Sequence, residues 1–314
     1  MRRATPSGDR AVSRDVPDRP AGAPEHRAGV VALLGLPNAG KSTLLNRLVG
    51  ERLAIVTHKP QTTRSRLLGI VTRPEGQVLL LDTPGVHSGQ GTLHEAMRQA
   101  VDEALGDCDV ACLLVDLVRG WEPAHDLLRE RLAGAGKAWF LVGTKADLPA
   151  AGRTAWPPAG EPAPDRIFRI AADRGQGTRA LLDALLERLP ASPPFYPDDE
   201  ITDRPLRFLA AEMVREAAFQ ELADELPYEL AVEVEAFDES RPEIARIRAN
   251  LLVRRSSQKA IVIGAGGRQI KAIGTRARKS LEKFMAQRVH LELWVKVDPT
   301  WFKKRKRLTS LGYV

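Results

Sequence analysis

GVVALLGLPNAGKSTLLNRLVG, residues 29–50, decides the fold. Its first seven residues are a short apolar run closed by Gly35, as expected of a strand buried on both faces. Its last ten place Leu44, Leu45, Leu48 and Val49 at helical spacing and end on Gly50. Between them GLPNAGKS (35–42) matches G-x-x-x-x-G-K-[ST] in the strand–loop–helix context the pattern requires. Such a loop aims backbone N–H groups and a helix N-terminus at one point, a cradle for phosphate oxygens. Gly35, Leu36, Pro37, Asn38, Ala39 and Gly40 form the cradle and Thr43 continues it into the helix. Lys41 is expected to reach the β- and γ-phosphates, and the Ser42 hydroxyl to bind Mg²⁺.

Working outward, LLGIVT, QVLLLDT, VACLLVDL, AWFLVGT and RIFRI read as further strands. TLHEAMRQAVDEAL, AHDLLRERLA and TRALLDALLERL read as helices between them. This alternation predicts an α/β domain with a doubly wound, mostly parallel sheet. LLLDTPG (79–85) ends a strand: Asp82 can hold Mg²⁺ through water, and the Gly85 N–H can face a γ-phosphate, with Thr83 and Pro84 shaping the turn. TKAD (144–147) ends another. There the Asp147 carboxylate can accept from guanine N1–H and the exocyclic amine, a donor pair that adenine lacks, while the Lys145 stem lies over the base. Within HKPQTTRSR (58–66), a threonine can complete a Mg²⁺ shell when γ-phosphate is present.

The order changes after a proline-rich stretch, 189–205. RFLAAEMVREAAFQEL is helical, YELAVEVEAF and IARIRANLLVRR alternate as half-buried strands, and SSQKAIVIG is a short helix before GAGG (264–267). RQIKAIGTRARKSLEKFM is a helix with Ile270, Ile273, Ala277 and Leu281 on one face, and RVHLELWVKV a last strand. The order helix–strand–strand–helix–GxxG–helix–strand resembles a type II KH domain, an α+β module. In that module the GxxG loop clamps the backbone of about four single-stranded nucleotides. By this resemblance Gly264, Ala265, Gly266 and Gly267 meet RNA, with Lys259, Arg268, Lys271 and Arg278 supplying charge. Ala265 and Gly266 stand where the family usually has Lys or Arg.

Charge agrees with that division. The net charge is +7, but residues 251–314 hold 16 Lys and Arg against 3 Asp and Glu, so residues 1–250 are net acidic. Aromatic residues are only 5%, which leaves base reading to hydrogen bonds more than to stacking. Cys108 and Cys112, the two cysteines, sit in an apolar stretch and read as buried reduced thiols of a cytoplasmic protein. Residues 1–28 lack apolar periodicity and read as a disordered tail; no apolar segment follows Arg2-Arg3, so a signal peptide is not expected.

PNAGKS, KPQTTR and DTPGVH, in this order, resemble the Era family of GTPases. The resemblance spans about 29–314. It implies a GTPase domain (29–190), a linker (191–206), a type II KH domain (207–298) and a basic C-terminal tail (299–314). It implies GTP hydrolysis with Mg²⁺ as cofactor, Lys41, Thr63 and Gly85 as catalytic groups, and Ser42, Thr63 and Asp82 on the metal. It implies guanine contacts from Thr144, Lys145, Ala146 and Asp147, and from Ala171 and Ala172 in the later base turn. Thr144 replaces the more usual Asn, and the base turn lacks its usual Ser. Val86 fills the position after the DxxG glycine where many small GTPases carry a water-orienting Gln. With Asn38 in the P-loop, that suggests K⁺ as an activator. The expected partners are GTP and GDP, 16S rRNA near its 3′ end and the 30S subunit, bound by a monomer. Two alternatives stay open: an RNA-binding protein whose GTP site is structural, and a GTPase held peripherally on anionic membrane by the basic run Lys303–Arg307.

Overall fold

The computed structural model describes residues 25–57, 59, 62–85, 92–153, 155–160 and 162–313. Expectations placed on residues 1–24, His58, Val86, His87 and Val314 lie outside that range.

The first domain contains β1 (Arg27–Gly35), α1 (Lys41–Val49), β2 (Leu67–Arg73), β3 (Gly76–Asp82), α2 (Thr92–Asp107), β4 (Val110–Asp116) and α3 (Pro123–Gly134). It closes with β5 (Ala138–Thr144), β6 (Arg166–Arg169) and α4 (Thr178–Arg188). The sheet order is β2-β3-β1-β4-β5-β6, with β2 antiparallel to β3 and the other pairings parallel. Successive side chains of β1 serve opposite faces. Val31 and Leu33 join a core with Leu44, Leu45, Leu181 and Leu185, whereas Ala32 and Leu34 join one with Val101, Leu105, Leu128 and Leu132. A strand covered by helices on both faces must be apolar throughout, which is the pattern that residues 29–35 show. From β1 the chain winds first toward β3 and then toward β4, so the crevice at the carboxyl end of β1 is a topological switch point.

The second domain contains α5 (Leu206–Glu221), β7 (Ala231–Asp238), β8 (Ile244–Val253), α6 (Ser256–Ile263), α7 (Arg268–Met285) and β9 (Arg288–Val297). β7 pairs antiparallel and β9 parallel with β8. Ile273, Ala277 and Leu281 of α7 are buried against Val232, Ile247, Leu251 and α5, as their spacing predicts.

The structure adds to expectation in three places. β1 begins at Arg27, inside the segment read as a tail to residue 28, because Arg27 bridges Ala191 and its guanidinium reaches the Leu189 carbonyl at 2.7 Å. Residues 191–205, within the expected linker, follow the sheet edge. Both Phe195 N–H and Tyr196 N–H donate to Gln77 Oε1, Ile70 N–H donates to the Ile201 carbonyl, and Thr202 Oγ1 donates to the Leu68 carbonyl. The basic segment 299–313 is folded, including α8 (Arg305–Ser310). Trp301, Leu308, Leu311 and Tyr313 cover Ala231 and Leu252 on the sheet face opposite α5 and α7, with Leu93 of α2 packed against them. Burial raises both Cys108 and Cys112 thiols above the ordinary value, consistent with inert packing groups. Among the described residues no helix is long and apolar enough to cross a membrane.

Candidate nucleotide site and RNA-binding surface

The crevice at the switch point is a cleft of about 770 Å³, within the range of small-molecule sites. Pro37–Thr43, Thr63, Gly85, Thr144, Lys145, Asp147, Ala172 and Asp173 line it, and Phe219, Gln220 and Arg276 of the second domain complete its wall. At its base, Lys41 Nζ donates to the carbonyls of Gly35 and Leu36, both at 3.0 Å. Desolvation lowers this ammonium from 10.5 to about 8, and Asp82 offsets part of the drop. An ammonium held there against its desolvation cost is poised for an anionic ligand.

Ser42, Thr63 and Asp82 come from α1, an irregular loop and β3, yet their oxygens meet. Ser42 Oγ donates to Asp82 Oδ2 at 2.6 Å, Thr63 Oγ1 donates to the same oxygen at 3.2 Å, and the two hydroxyls are 3.1 Å apart. Asp82 is fully buried, and its Oδ1 has no hydrogen-bond partner among the described residues. Burial raises its carboxyl above the usual range, while Lys41, Ser42 and Thr63 pull it back. Two hydroxyls and a carboxylate, one of whose oxygens is unpaired, are a hard-oxygen donor set. Mg²⁺ fits it through those oxygens, water and phosphate.

The TKAD end of the cleft is stitched to the P-loop. Thr144 Oγ1 donates to the Ala39 carbonyl at 2.8 Å and the Val115 carbonyl at 3.2 Å, so the hydroxyl ties the TKAD loop to the P-loop. Ala146 N–H donates to the Ile170 carbonyl, joining that loop to the turn carrying Ala171 and Ala172. Arg47 holds the turn from below through the Ala172 carbonyl at 2.6 Å. Asp147 pairs with Arg174 at 3.1 Å. Asp116, at the end of β4, was missed from the sequence. Its carboxylate receives Lys145 Nζ at 2.6 Å and fixes the lysine stem at the wall of the cleft. The available signal was its place: Asp116 ends VACLLVD as Asp82 ends QVLLLD.

On the second domain, Gly264 (φ 73°) and Gly267 (φ 76°) bracket the exposed Ala265 and Gly266. A Cβ on Gly264 would lie 2.7 Å from Gln269 Cβ, so the approach of loop to helix requires glycine. Lys259, Arg268 and Lys271 are exposed around this loop, and the last two occupy the first turn of α7. Cations at a helix N-terminus oppose the helix dipole, an arrangement that suits a phosphate placed between them. Arg278 is committed elsewhere, to Glu282 at 2.8 Å. Ile261, 60% exposed on α6 just before the loop, is an apolar platform that charge counting overlooked.

A P-loop GTPase fold joined to a KH module defines the class. A family model described as 50S ribosome-binding GTPase matches residues 30–145, and a KH-domain model matches 225–302. GTPase Era of Ectopseudomonas mendocina is 42% identical over 302 residues, 93% of this chain and 99% of that protein. GTPase Era of Stenotrophomonas maltophilia is 41% identical over 92% of this chain and 98% of its own. Among solved structures, Era in complex with MgGDPNP and nucleotides 1506–1542 of 16S ribosomal RNA superposes with TM-score 0.85 at 34% identity. That match covers 92% of this chain and 99% of the other. An Aquifex aeolicus Era variant bound to GDP.AlF4- gives TM-score 0.84 with the same coverage. The chain belongs to the Era family of GTPases.

Proposed function

We propose that this protein hydrolyses GTP in the cleft above β1 while its KH domain holds the 3′-terminal region of 16S-type rRNA, and that it assists assembly of the 30S subunit in the cytoplasm. The convergence of Ser42, Thr63 and the half-satisfied Asp82 beside Lys41 carries the nucleotide half. Lys41 holds β- and γ-phosphate oxygens, the Gly85 N–H faces the γ-phosphate, and Asp147 with Lys145 selects guanine. Ser42, Thr63 and Asp82 would hold Mg²⁺, which neutralises charge shared by the β- and γ-phosphates. Attack of water on the γ-phosphorus breaks its bond to the bridging oxygen and releases GDP and phosphate. Positive charge beyond Lys41 is the remaining need, and Asn38 in the P-loop, with Val86 in place of a water-orienting Gln, motivates the K⁺ reading. Turnover in K⁺ buffer should exceed turnover in Na⁺ buffer.

The relative's complex with MgGDPNP and nucleotides 1506–1542 of 16S ribosomal RNA supports the RNA half. So do the exposed Lys259, Arg268 and Lys271 around Gly264–Gly267. The membrane alternative needs a free basic run at Lys303–Arg307. Arg307 grips Glu233 at 2.5 Å and Asp298 at 3.2 Å, which commits one of the run's five cations to the fold, while Lys303, Lys304, Arg305 and Lys306 are exposed. Multiple-turnover phosphate release, with Lys41→Ala as control, tests hydrolysis against a merely structural nucleotide. Crosslinking to total RNA with and without a GTP analogue tests the partner. Loss of RNA capture when Gly266 and Gly267 are replaced by Asp is the expected result.

A further inference from the structure

Residues 51–66 contain no helix or strand among those described, yet Thr63 within them must meet Ser42 and Asp82 to within about 3 Å. Irregular backbone has no ladder to locate it, so side-chain anchors must. Two buried arginines, one on each side of Thr63, supply them. Arg64 is 3% exposed. Its Nη1 donates to the Leu230 carbonyl at 2.7 Å, and its Nη2 to the carbonyls of Tyr228 at 2.8 Å and Pro227 at 3.3 Å. These carbonyls belong to the turn between α5 and β7. The guanidinium lies 5.3 Å from the Trp301 ring centre and 5.4 Å from that of Tyr313. Arg215 of α5, fully buried, donates Nη2 to the Thr62 carbonyl at 2.6 Å and Nε to Glu212 at 2.8 Å.

A buried guanidinium is costly unless its donors are satisfied. Among the described residues Arg64 has no carboxylate within ion-pair distance; three carbonyls, the Tyr313 hydroxyl at 3.4 Å and two aromatic faces hold it instead. That arrangement uses the planar fork and the flat face of arginine, neither of which lysine has. Three partners of Arg64 come from the KH module and two from segment 299–313, so the loop carrying Thr63 is seated by the whole C-terminal half of the molecule.

We propose that Arg64 is a positioning residue for the reaction. Anchored in a cage of the 227–230 carbonyls, Trp301 and Tyr313, it holds the Thr63 hydroxyl where metal and γ-phosphate require it. The proposal rests on the reading of Thr63 as a Mg²⁺-side group. Through this cage the KH domain and the C-terminal segment act in cis on the nucleotide site. The basic run is thereby carried on a structural element that includes Trp301 and Tyr313, which form part of the GTPase machinery.

The test compares binding of a non-hydrolysable GTP analogue and of GDP, each with Mg²⁺, by calorimetry on the full chain, with thermal melting as a fold check. Thr63 is needed for the γ-phosphate state, so Arg64→Lys should weaken the analogue about 10- to 100-fold, the range for residues that orient metal-site groups, and leave GDP within about twofold. Trp301→Leu, which keeps apolar bulk and removes one aromatic face, should shift the same ratio less; it decides the matter alone should Arg64→Lys fail to fold. An unchanged analogue-to-GDP ratio, or equal loss for both nucleotides, overturns the positioning role. Wild-type protein that binds neither nucleotide overturns the functional reading beneath it, whereas wild-type binding with an unaltered ratio in the variants sinks the inference only.

Discussion

Raising the pH should loosen the nucleotide through one side chain. Lys41 is buried between the Gly35 and Leu36 carbonyls, and desolvation drops its ammonium from 10.5 to about 8 while Asp82 pulls the other way. A bound di- or triphosphate places negative charge at that ammonium and favours its charged form. The nucleotide complex therefore holds a proton that the free protein loses above about pH 8. Linkage then gives the sign: affinity is flat below about pH 8 and falls above it, approaching tenfold per pH unit. If binding restores the ordinary value, the gap from about 8 to 10.5 is worth roughly 300-fold, or about 3 kcal/mol. Between pH 7 and pH 9 the expected weakening is about tenfold, with uptake of about 0.1 proton per nucleotide at pH 7 and about 0.9 at pH 9.

Calorimetric titration of GDP in buffers of different ionisation enthalpy reads both quantities at once. The guanine N1–H begins to ionise at the top of this range, so Lys41→Arg, whose cation does not titrate there, supplies the baseline to subtract. Proton uptake at pH 9 equal in wild type and Lys41→Arg would refute the reasoning, because the buried ammonium would then be no different from an ordinary one.

Asp147→Asn should cost GTP at least about 100-fold, since hydrogen bonds to a charged acceptor contribute about 1.5–3 kcal/mol each, and should favour xanthosine triphosphate in competition binding. Burial holds the Asp82 carboxyl above its usual range, so its ionised form costs stability once the pH exceeds the unfolded value. Asp82→Asn should accordingly raise the melting temperature of nucleotide-free protein by a few degrees while abolishing Mg²⁺-dependent binding of the GTP analogue. A Cβ on Gly85 would meet Pro37 N at 2.8 Å and Pro37 Cα at 2.9 Å, so Gly85→Ala must shift the P-loop. Phosphate release should fall about 100-fold, the scale of an ångström of misplacement, with RNA binding retained.

How much of this was legible in the sequence depended on how local the cause was. β1 and the P-loop were readable because an apolar run, two glycines and a lysine act within residues 29–41. The order of α5 through β9 was readable because each element carries its own period. Asp116 was not, since one aspartate ending a strand gains meaning only when β5 brings Lys145 beside it. The segment 299–313 misled for a physical reason. Its five consecutive cations dominate the composition, whereas Trp301, Leu308, Leu311 and Tyr313 follow no single period and are buried only because Ala231 and Leu252 leave a bare sheet face. Prolines in 190–205 correctly signalled irregular backbone, but not that Gln77, an interior glutamine, would bind that backbone to β3.

Seating the loop of Thr63 with two buried cations has a mechanical consequence. Adjacent Cα atoms stand about 3.8 Å apart, so Thr63 cannot leave Ser42 and Asp82 by more than a few ångströms while Arg64 remains caged and Thr62 remains on Arg215. Departure of the γ-phosphate must therefore either leave the loop in place or extract a buried guanidinium from the turn at 227–230, which begins β7. The second course disturbs the module that carries Gly264–Gly267. Packed cores of this kind switch between discrete arrangements more readily than they deform by degrees. Coupling between nucleotide and RNA, if measured, would then be reciprocal in free energy, and Arg64→Lys should shrink it from both ends by the same factor.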